Sequence, residues 1–287
     1  MITRRELLAG SLALAACGPS RDRVSQTIPR DAVLRAPRNP RYVIDRPLTD
    51  EVVAASYNNF YEFTSAKDVW KHVDAFRVDP WRVEVTGLVA KPRVYSLDEI
   101  LKLPREERVY RHRCVEAWAM AIPWLGFPLS RLLLAAEPTH AARYVRFLSV
   151  QAPSQMPAMA ARPWESWPYY EALRIDEAMH DLTFVTIGMF GHALPKQHGA
   201  PIRIVVPWKY GYKSPKSVVK IELVADQPHT FWSDLAPNEY PFESNVNPHM
   251  PHPRWSQLTE RLLGTFDVRR TVEYNGYGDL VRSMYSR

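Results

Sequence analysis

The chain of 287 residues holds only two cysteines, Cys17 and Cys114, and only 11 glycines. With one cysteine in the N-terminal segment, no internal disulfide framework can form. There is no paired Cys-x-x-Cys and no haem-attachment motif. Gly-x-Gly-x-x-Gly, a phosphate-binding Walker loop, His-Glu-x-x-His and Gly-x-Ser-x-Gly are missing as well. Nicotinamide, flavin, ATP, zinc-protease and esterase chemistries lose ground accordingly. Past the N-terminus, no apolar run approaches the roughly 20 residues that a bilayer span needs. The formal net charge is +6, but no lysine or arginine block is long enough for a nucleic-acid arm, and no nucleic-acid partner is expected. No internal repeat is visible, which argues against a solenoid or propeller.

What is present begins with an address. Thr3-Arg4-Arg5-Glu6-Leu7-Leu8 is a twin-arginine pattern, followed by an apolar run to Ala16 that suits a signal-peptide core. Leu14-Ala15-Ala16-Cys17 reads as a lipobox, which would leave a lipidated Cys17. Ala13-Leu14-Ala15 reads as an ordinary cleavage site that would remove it. A twin-arginine route carries folded proteins, often with a cofactor inserted beforehand, so an envelope location and a complex cofactor are expected. The organisation read from the chain is a signal at 1–17, an extended leader at 18–45 rich in Arg, Pro and Asp, and a single catalytic domain at 46–287. Hydrophobic residues make up 46%, enough for a substantial core.

Alternation predicts strands at 81–87 and 144–150, and further strands at 182–190, 202–206 and 218–224. Ser96-Leu97-Asp98-Glu99 is a capping box that predicts a short helix through Leu103, and 131–136 predicts another. Residues 255–263 and 278–285 read as helical. The 25 prolines fix many loops. Strands and short helices mix without a βαβ rhythm, so the fold class is α+β.

Three groups of residues could carry chemistry. Cys114 lies between Arg111-His112-Arg113 and Val115-Glu116-Ala117-Trp118. Cationic neighbours favour a thiolate, which is a nucleophile or a soft metal ligand. The plain alternative is a buried cysteine acting as a small hydrophobe. Arg203, Lys213, Ser214 and Lys216 could together hold a phosphate, and the alternative there is a solvated basic loop. His249-Met250-Pro251-His252 reads as a surface turn, because the proline and the lack of a nearby carboxylate disfavour a metal.

The run around Cys114 and the segment Tyr57-Asn58-Asn59-Phe60-Tyr61-Glu62-Phe63 resemble the molybdenum-dependent protein-methionine-sulfoxide reductase family, within the sulfite oxidase fold. Leu173-Arg174-Ile175-Asp176-Glu177-Ala178-Met179-His180, Gly199-Ala200-Pro201-Ile202-Arg203, Val206-Pro207-Trp208-Lys209-Tyr210-Gly211, His252-Pro253-Arg254-Trp255-Ser256-Gln257 and Asn275-Gly276-Tyr277 extend the likeness over nearly the whole chain. The resemblance implies mixed sheets with short helices and long loops around Mo-molybdopterin. It makes Cys114 the molybdenum ligand. It gives Asn58, Tyr61, Glu62, Arg203, Ser214, Pro215 and Lys216 to the pterin and its phosphate. Ser149 stands where relatives often have threonine, and His198 where they often have asparagine.

The resemblance further implies reduction of methionine sulfoxide in oxidised envelope proteins of the periplasm. Electrons would come from a haem-containing membrane subunit, and the catalytic subunit would otherwise be a monomer. A sulfite oxidase-like enzyme of the same fold is the first alternative. It is disfavoured because Val115-Glu116-Ala117-Trp118 follows the cysteine where sulfite oxidases place an anion-binding arginine. A non-catalytic envelope lipoprotein with a merely buried Cys114 is the second.

Overall fold

A computed structural model describes residues 21–286. The signal, with its arginine pair and Cys17, lies outside the described residues. Twelve strands are described in chain order: β1 (Arg82–Gly87), β2 (Arg93–Ser96), β3 (Glu106–Arg113), β4 (Trp118–Pro128), β5 (Tyr144–Ser149), β6 (Tyr170–Arg174), β7 (Phe184–Met189), β8 (His192–Ala193), β9 (Arg203–Val205), β10 (Val218–Val224), β11 (Thr259–Leu262) and β12 (Val268–Arg270). They form a five-stranded sheet, β2-β1-β10-β5-β6, and a seven-stranded sheet, β12-β11-β4-β7-β8, with β3 on β4 and β9 on β7. Both sheets mix parallel and antiparallel pairs: β1 runs parallel to β10 and β11 parallel to β4. The helices are short, as the α+β reading expects.

One apolar core joins the two sheets. Val83, Phe147 and Ile221 from the first meet Tyr110, Trp124 and Phe184 from the second. The predicted capping box forms at Ser96, though its helix ends at Leu101. The leader from residue 21 runs along the body: Val24 and Ile28 pack on Ala55 and Trp70, and Tyr42 is edge-on to Tyr110 at 5.4 Å. Residues 278–284 are helical turns as expected. Residues 255–263 are not a helix. Thr259–Leu262 is β11, with alternating exposure, paired to Trp118 and Ala119 on one side and to β12 on the other. Nor is 249–252 all surface: His252 is buried and stacks flat on Trp255 at 4.0 Å.

The β3–β4 hairpin positions Cys114. Its eight pairs run from Glu106↔Gly126 to Arg113↔Ala119. Residues 114–117 make the turn, with the Cys114 N–H donating to the Trp118 carbonyl (2.9 Å) and the Ala117 N–H to the Cys114 carbonyl (3.1 Å). Ala117 takes a left-handed conformation, φ 62°, which a non-glycine residue adopts only where its surroundings hold it there.

Buried ion pairs secure the loop between β9 and β10. Lys209 Nζ meets Glu177 at 2.6 Å with both side chains fully buried, and Tyr285 OH donates to the same carboxylate at 2.6 Å. Removing one partner of such a pair leaves an uncompensated charge. Glu177→Ala is expected to destabilise the protein by about 3 kcal/mol, read as a lower urea midpoint with unchanged slope. A change below about 0.5 kcal/mol would contradict the assignment.

Candidate active site

Four segments converge on one cavity of about 710 Å³. Asn58 to Glu62 follow the helix Glu51–Ser56; Cys114 to Trp118 form the hairpin turn; His198 to Arg203 lead into β9; and Ser214 to Lys216 lead into β10. The last two are zipped together. Ile204 N–H donates to the Pro215 carbonyl (3.0 Å) and Ser217 N–H to the Gly199 carbonyl (3.1 Å). Gly199, φ 96°, must be glycine on two counts: a Cβ there would lie 2.6 Å from Lys216 Cβ. Lys216 Nζ then donates to the Asn59 carbonyl at 2.7 Å, tying this floor to the first segment.

Nine of the ten residues to which the family resemblance points line this cavity: Asn58, Tyr61, Glu62, Cys114, His198, Arg203, Ser214, Pro215 and Lys216. Ser149 is not among them. Its hydroxyl donates to the Lys216 carbonyl (2.7 Å), so it supports the floor from behind. Lys213 also stands apart, buried in an ion pair with Glu171 at 2.5 Å.

The floor carries two buried cations that form no direct ion pair, although the buried Glu62 carboxyl acts on Lys216 from nearby. Arg203 is buried, and no carboxylate among the described residues pairs with it or with Lys216. Arg203 Nη1 donates to the His198 carbonyl (3.0 Å), while Nε has no partner. Burial alone pushes this guanidinium down to about 9. Burial likewise lowers Lys216 and raises the Glu62 carboxyl. Burial, then Arg203 and Lys216, push His198 down to about 3, so its ring is neutral. His198 Nε2 and Asn58 Oδ1 are also buried without partners. Such orphaned groups are costly unless a ligand meets them.

The arginines beside Cys114 in sequence do not activate it. Arg111 turns to Asp45 at 2.9 Å. Arg113 is buried, hydrogen-bonded to the Cys114 carbonyl and to Gln257 Oε1 (2.9 Å), and ion-paired to Glu260 at 3.2 Å. Burial and the Glu116 carboxylate push the thiol up to about 12. The thiol is therefore protonated at neutral pH, and binding a metal there would release that proton. Among the described residues no group of three or more His, Cys, Asp or Glu could hold a metal ion, so a metal at Cys114 needs further donors from a cofactor.

Sequence reasoning missed the other side of the cavity. Glu116 Oε2 lies 3.8 Å from Cys114 Sγ. It is held by Lys67 (2.6 Å), Asn59 Nδ2 (3.0 Å) and Trp118 Nε1 (3.0 Å). Burial raises this carboxyl, but those hydrogen bonds outweigh burial and leave it below the ordinary range. A strap from residue 255 to 260 clasps the turn: Trp255 Nε1 (2.8 Å) and Gln257 Nε2 (2.7 Å) both donate to the Val115 carbonyl. His112 also lines the cavity, with Gly211 drawn so close that a Cβ would lie 2.7 Å from His112 Nε2.

A single thiol in a cavity with a buried cationic floor suits an anionic, phosphate-bearing cofactor that carries a thiophilic metal. The fold and this cavity define the class: residues 70–232 match the family described as oxidoreductase molybdopterin binding domain. Two relatives narrow it. The protein-methionine-sulfoxide reductase catalytic subunit MsrP of Burkholderia mallei is 54% identical over 258 residues, covering 88% of this chain and 78% of the relative. The subunit of the same name from Ralstonia nicotianae is 48% identical over 301 aligned residues, covering 99% of this chain and 89% of the relative. A solved chain of the sulfane dehydrogenase SoxCD from Paracoccus pantotrophus overlaps more loosely, with TM-score 0.45 and 21% identity over 61% of this chain and 45% of that one. The chain belongs to the family of molybdopterin-dependent protein-methionine-sulfoxide reductase catalytic subunits.

Proposed function

We propose that this chain removes oxygen from methionine sulfoxide residues of oxidised envelope proteins, as the catalytic half of a two-component repair system. The observation that carries this reading is the pairing, in one cavity, of the Cys114 thiol with the buried cations Arg203 and Lys216, Arg203 having no carboxylate partner among the described residues. In this reading Cys114 ligates molybdenum. Arg203, Lys216 and Ser214 hold the phosphate of the cofactor; Asn58, Tyr61, Glu62, His198 and Pro215 hold its pterin; and Ser149 fixes the floor. When bound, the molybdenum centre supplies the two-electron exchange that takes oxygen from a sulfoxide and leaves a thioether. The chain's own residues bind, orient and enclose. Trp118, Tyr240 and Trp255 wall the cavity and keep water from the sulfur. The strap from 255 to 260 holds the turn that carries Cys114.

Sulfite is a poor substrate for this geometry. The Glu116 carboxylate, 3.8 Å from Cys114 Sγ, would oppose a second anion there. The sequence carries no haem-attachment motif, and in this reading electrons come from a separate partner. A haem-containing membrane subunit fits that need. The decisive experiment is metal and pterin analysis of the exported protein, combined with mass spectrometry of an oxidised protein substrate under reduction. Molybdenum, pterin and loss of one oxygen per reduced methionine are expected. Absence of the metal, or retention of the oxygen, would overturn the reading.

The twin-arginine address carries a further expectation. Arg4→Lys together with Arg5→Lys should leave a precursor in the cytoplasm that is folded and cofactor-loaded. Rerouting through an unfolded-export signal should deliver an envelope protein without molybdenum. The site joins segments as distant as Asn58, Cys114 and Lys216, which meet only in the folded chain. Active, loaded enzyme after unfolded export would contradict this account.

A further inference from the structure

An exposed tryptophan stands on a turn that is fastened to the cavity wall. Trp164 is 76% exposed. It stands in the turn from residue 162 to 167, closed by Glu165 N–H donating to the Arg162 carbonyl (3.2 Å) and Trp167 N–H to the Glu165 carbonyl (2.8 Å). The turn is fastened to the cavity wall. The Arg162 guanidinium lies 3.5 Å from the centre of the Tyr61 ring and donates to the Tyr61 carbonyl at 2.5 Å. Trp167 Nε1 donates to the Arg162 carbonyl at 2.9 Å. Tyr61 itself lines the cavity, with its ring 5.1 Å from Trp232, another cavity residue, and 5.9 Å from Trp167. The exposed indole thus sits on a turn tied to the cavity wall rather than on a loose loop.

A methionine sulfoxide inside a polypeptide brings its backbone with it. Its sulfur reaches only roughly 4 Å from Cα, and Cys114 is just 6% exposed. The residues flanking the sulfoxide must therefore lie along the rim. Rigid aromatic side chains offer contact area at low entropic cost. Arg162 and Glu165 face each other at 3.6 Å, so the ledge presents no unbalanced charge and suits apolar neighbours.

We infer that the turn from 162 to 167, fastened to Tyr61 and presenting the exposed Trp164, forms a docking ledge for an extended apolar segment adjoining the methionine sulfoxide. The inference rests on the reading of the chain as a methionine sulfoxide reductase. The test uses loaded enzyme, wild type, Trp164→Ala and Trp164→Phe. The substrates are N-acetylmethionine sulfoxide, a peptide with the sulfoxide flanked by leucine and valine, and one with it flanked by glycine and serine. Trp164→Ala should lose about tenfold in kcat/KM on the leucine–valine peptide, through KM. It should keep its rate on the acetylated amino acid, and Trp164→Phe should restore most of the loss. Fluorescence anisotropy of the labelled leucine–valine peptide, without reductant, should show the same weakening. Equal losses on all three substrates would overturn the ledge. So would a defect confined to electron delivery from the membrane partner with peptide binding unchanged. A wild-type enzyme that reduces none of the three would instead overturn the function on which the ledge depends.

Discussion

Cys114→Ser should abolish turnover while leaving the protein folded. The sulfur is 6% exposed and accepts only weak hydrogen bonds, from Asn59 Nδ2 and the Glu116 N–H, both at 3.4 Å. A serine hydroxyl can take over both contacts, so the stability cost should stay below about 1 kcal/mol. The chemical cost is of another order. A hard, weakly acidic hydroxyl replaces the one thiol that lines the cavity and could serve a thiophilic metal as a thiolate. Changing groups that merely support a metal ligand already costs about 10–100-fold, so losing the ligand itself should exceed that. Sulfoxide reduction, molybdenum content and pterin content are to be measured on the same preparation. Turnover should fall more than about 100-fold while pterin remains. Full activity in this variant would remove Cys114 from the metal.

Much of this site was legible because its residues are of unusual type for their setting. A lone cysteine, an arginine entering a strand and a Ser-Pro-Lys loop stand out without coordinates. What they touch did not stand out. Arg111 and Arg113 flank Cys114 in sequence, yet Arg111 turns to Asp45 and Arg113 to Glu260, and the lowering that Arg113 still exerts on the thiol is outweighed by burial and by Glu116. The hairpin that carries Cys114 was missed because β4 is buried on both faces from Trp118 to Phe127, which erases alternation. The strap at 255–263 was misread as helix because Leu258, Leu262 and Leu263 repeat at helical spacing. The competing demand is tertiary. Glu260 from β11 meets both Arg113 and Arg46, at 3.2 and 2.6 Å, with all three side chains nearly inaccessible. A pairing between residues that far apart leaves no trace in local periodicity. Glu116 weighs against sulfite from the sequence alone, but its partners Asn59 and Lys67 do not stand out for a related reason: each is an ordinary surface residue type until the fold places it beside the sulfur.

Arg203→Met should give effects of opposite sign in the empty and the loaded protein. In the empty protein Arg203 is a buried cation with two carbonyl contacts, an unpartnered Nε and the Trp124 ring 5.0 Å from its guanidinium carbon. Replacing such a group by an apolar side chain of similar volume is often neutral or stabilising. The melting temperature of cofactor-free protein should therefore hold or rise. The loaded protein loses a charge-assisted contact to an anionic group, worth about 1.5–3 kcal/mol, or about 10–150-fold in affinity. Molybdenum and pterin occupancy should drop together, and the activity that remains, per bound molybdenum, should match wild type. Lys216 cannot fully substitute, since its ammonium is already committed to the Asn59 carbonyl at 2.7 Å and is a point charge rather than a planar fork. If occupancy stays normal and only turnover per molybdenum falls, Arg203 acts on the reaction and not on the phosphate. If the empty protein loses several kcal/mol instead, the guanidinium is structural and the floor is not a site waiting for an anion.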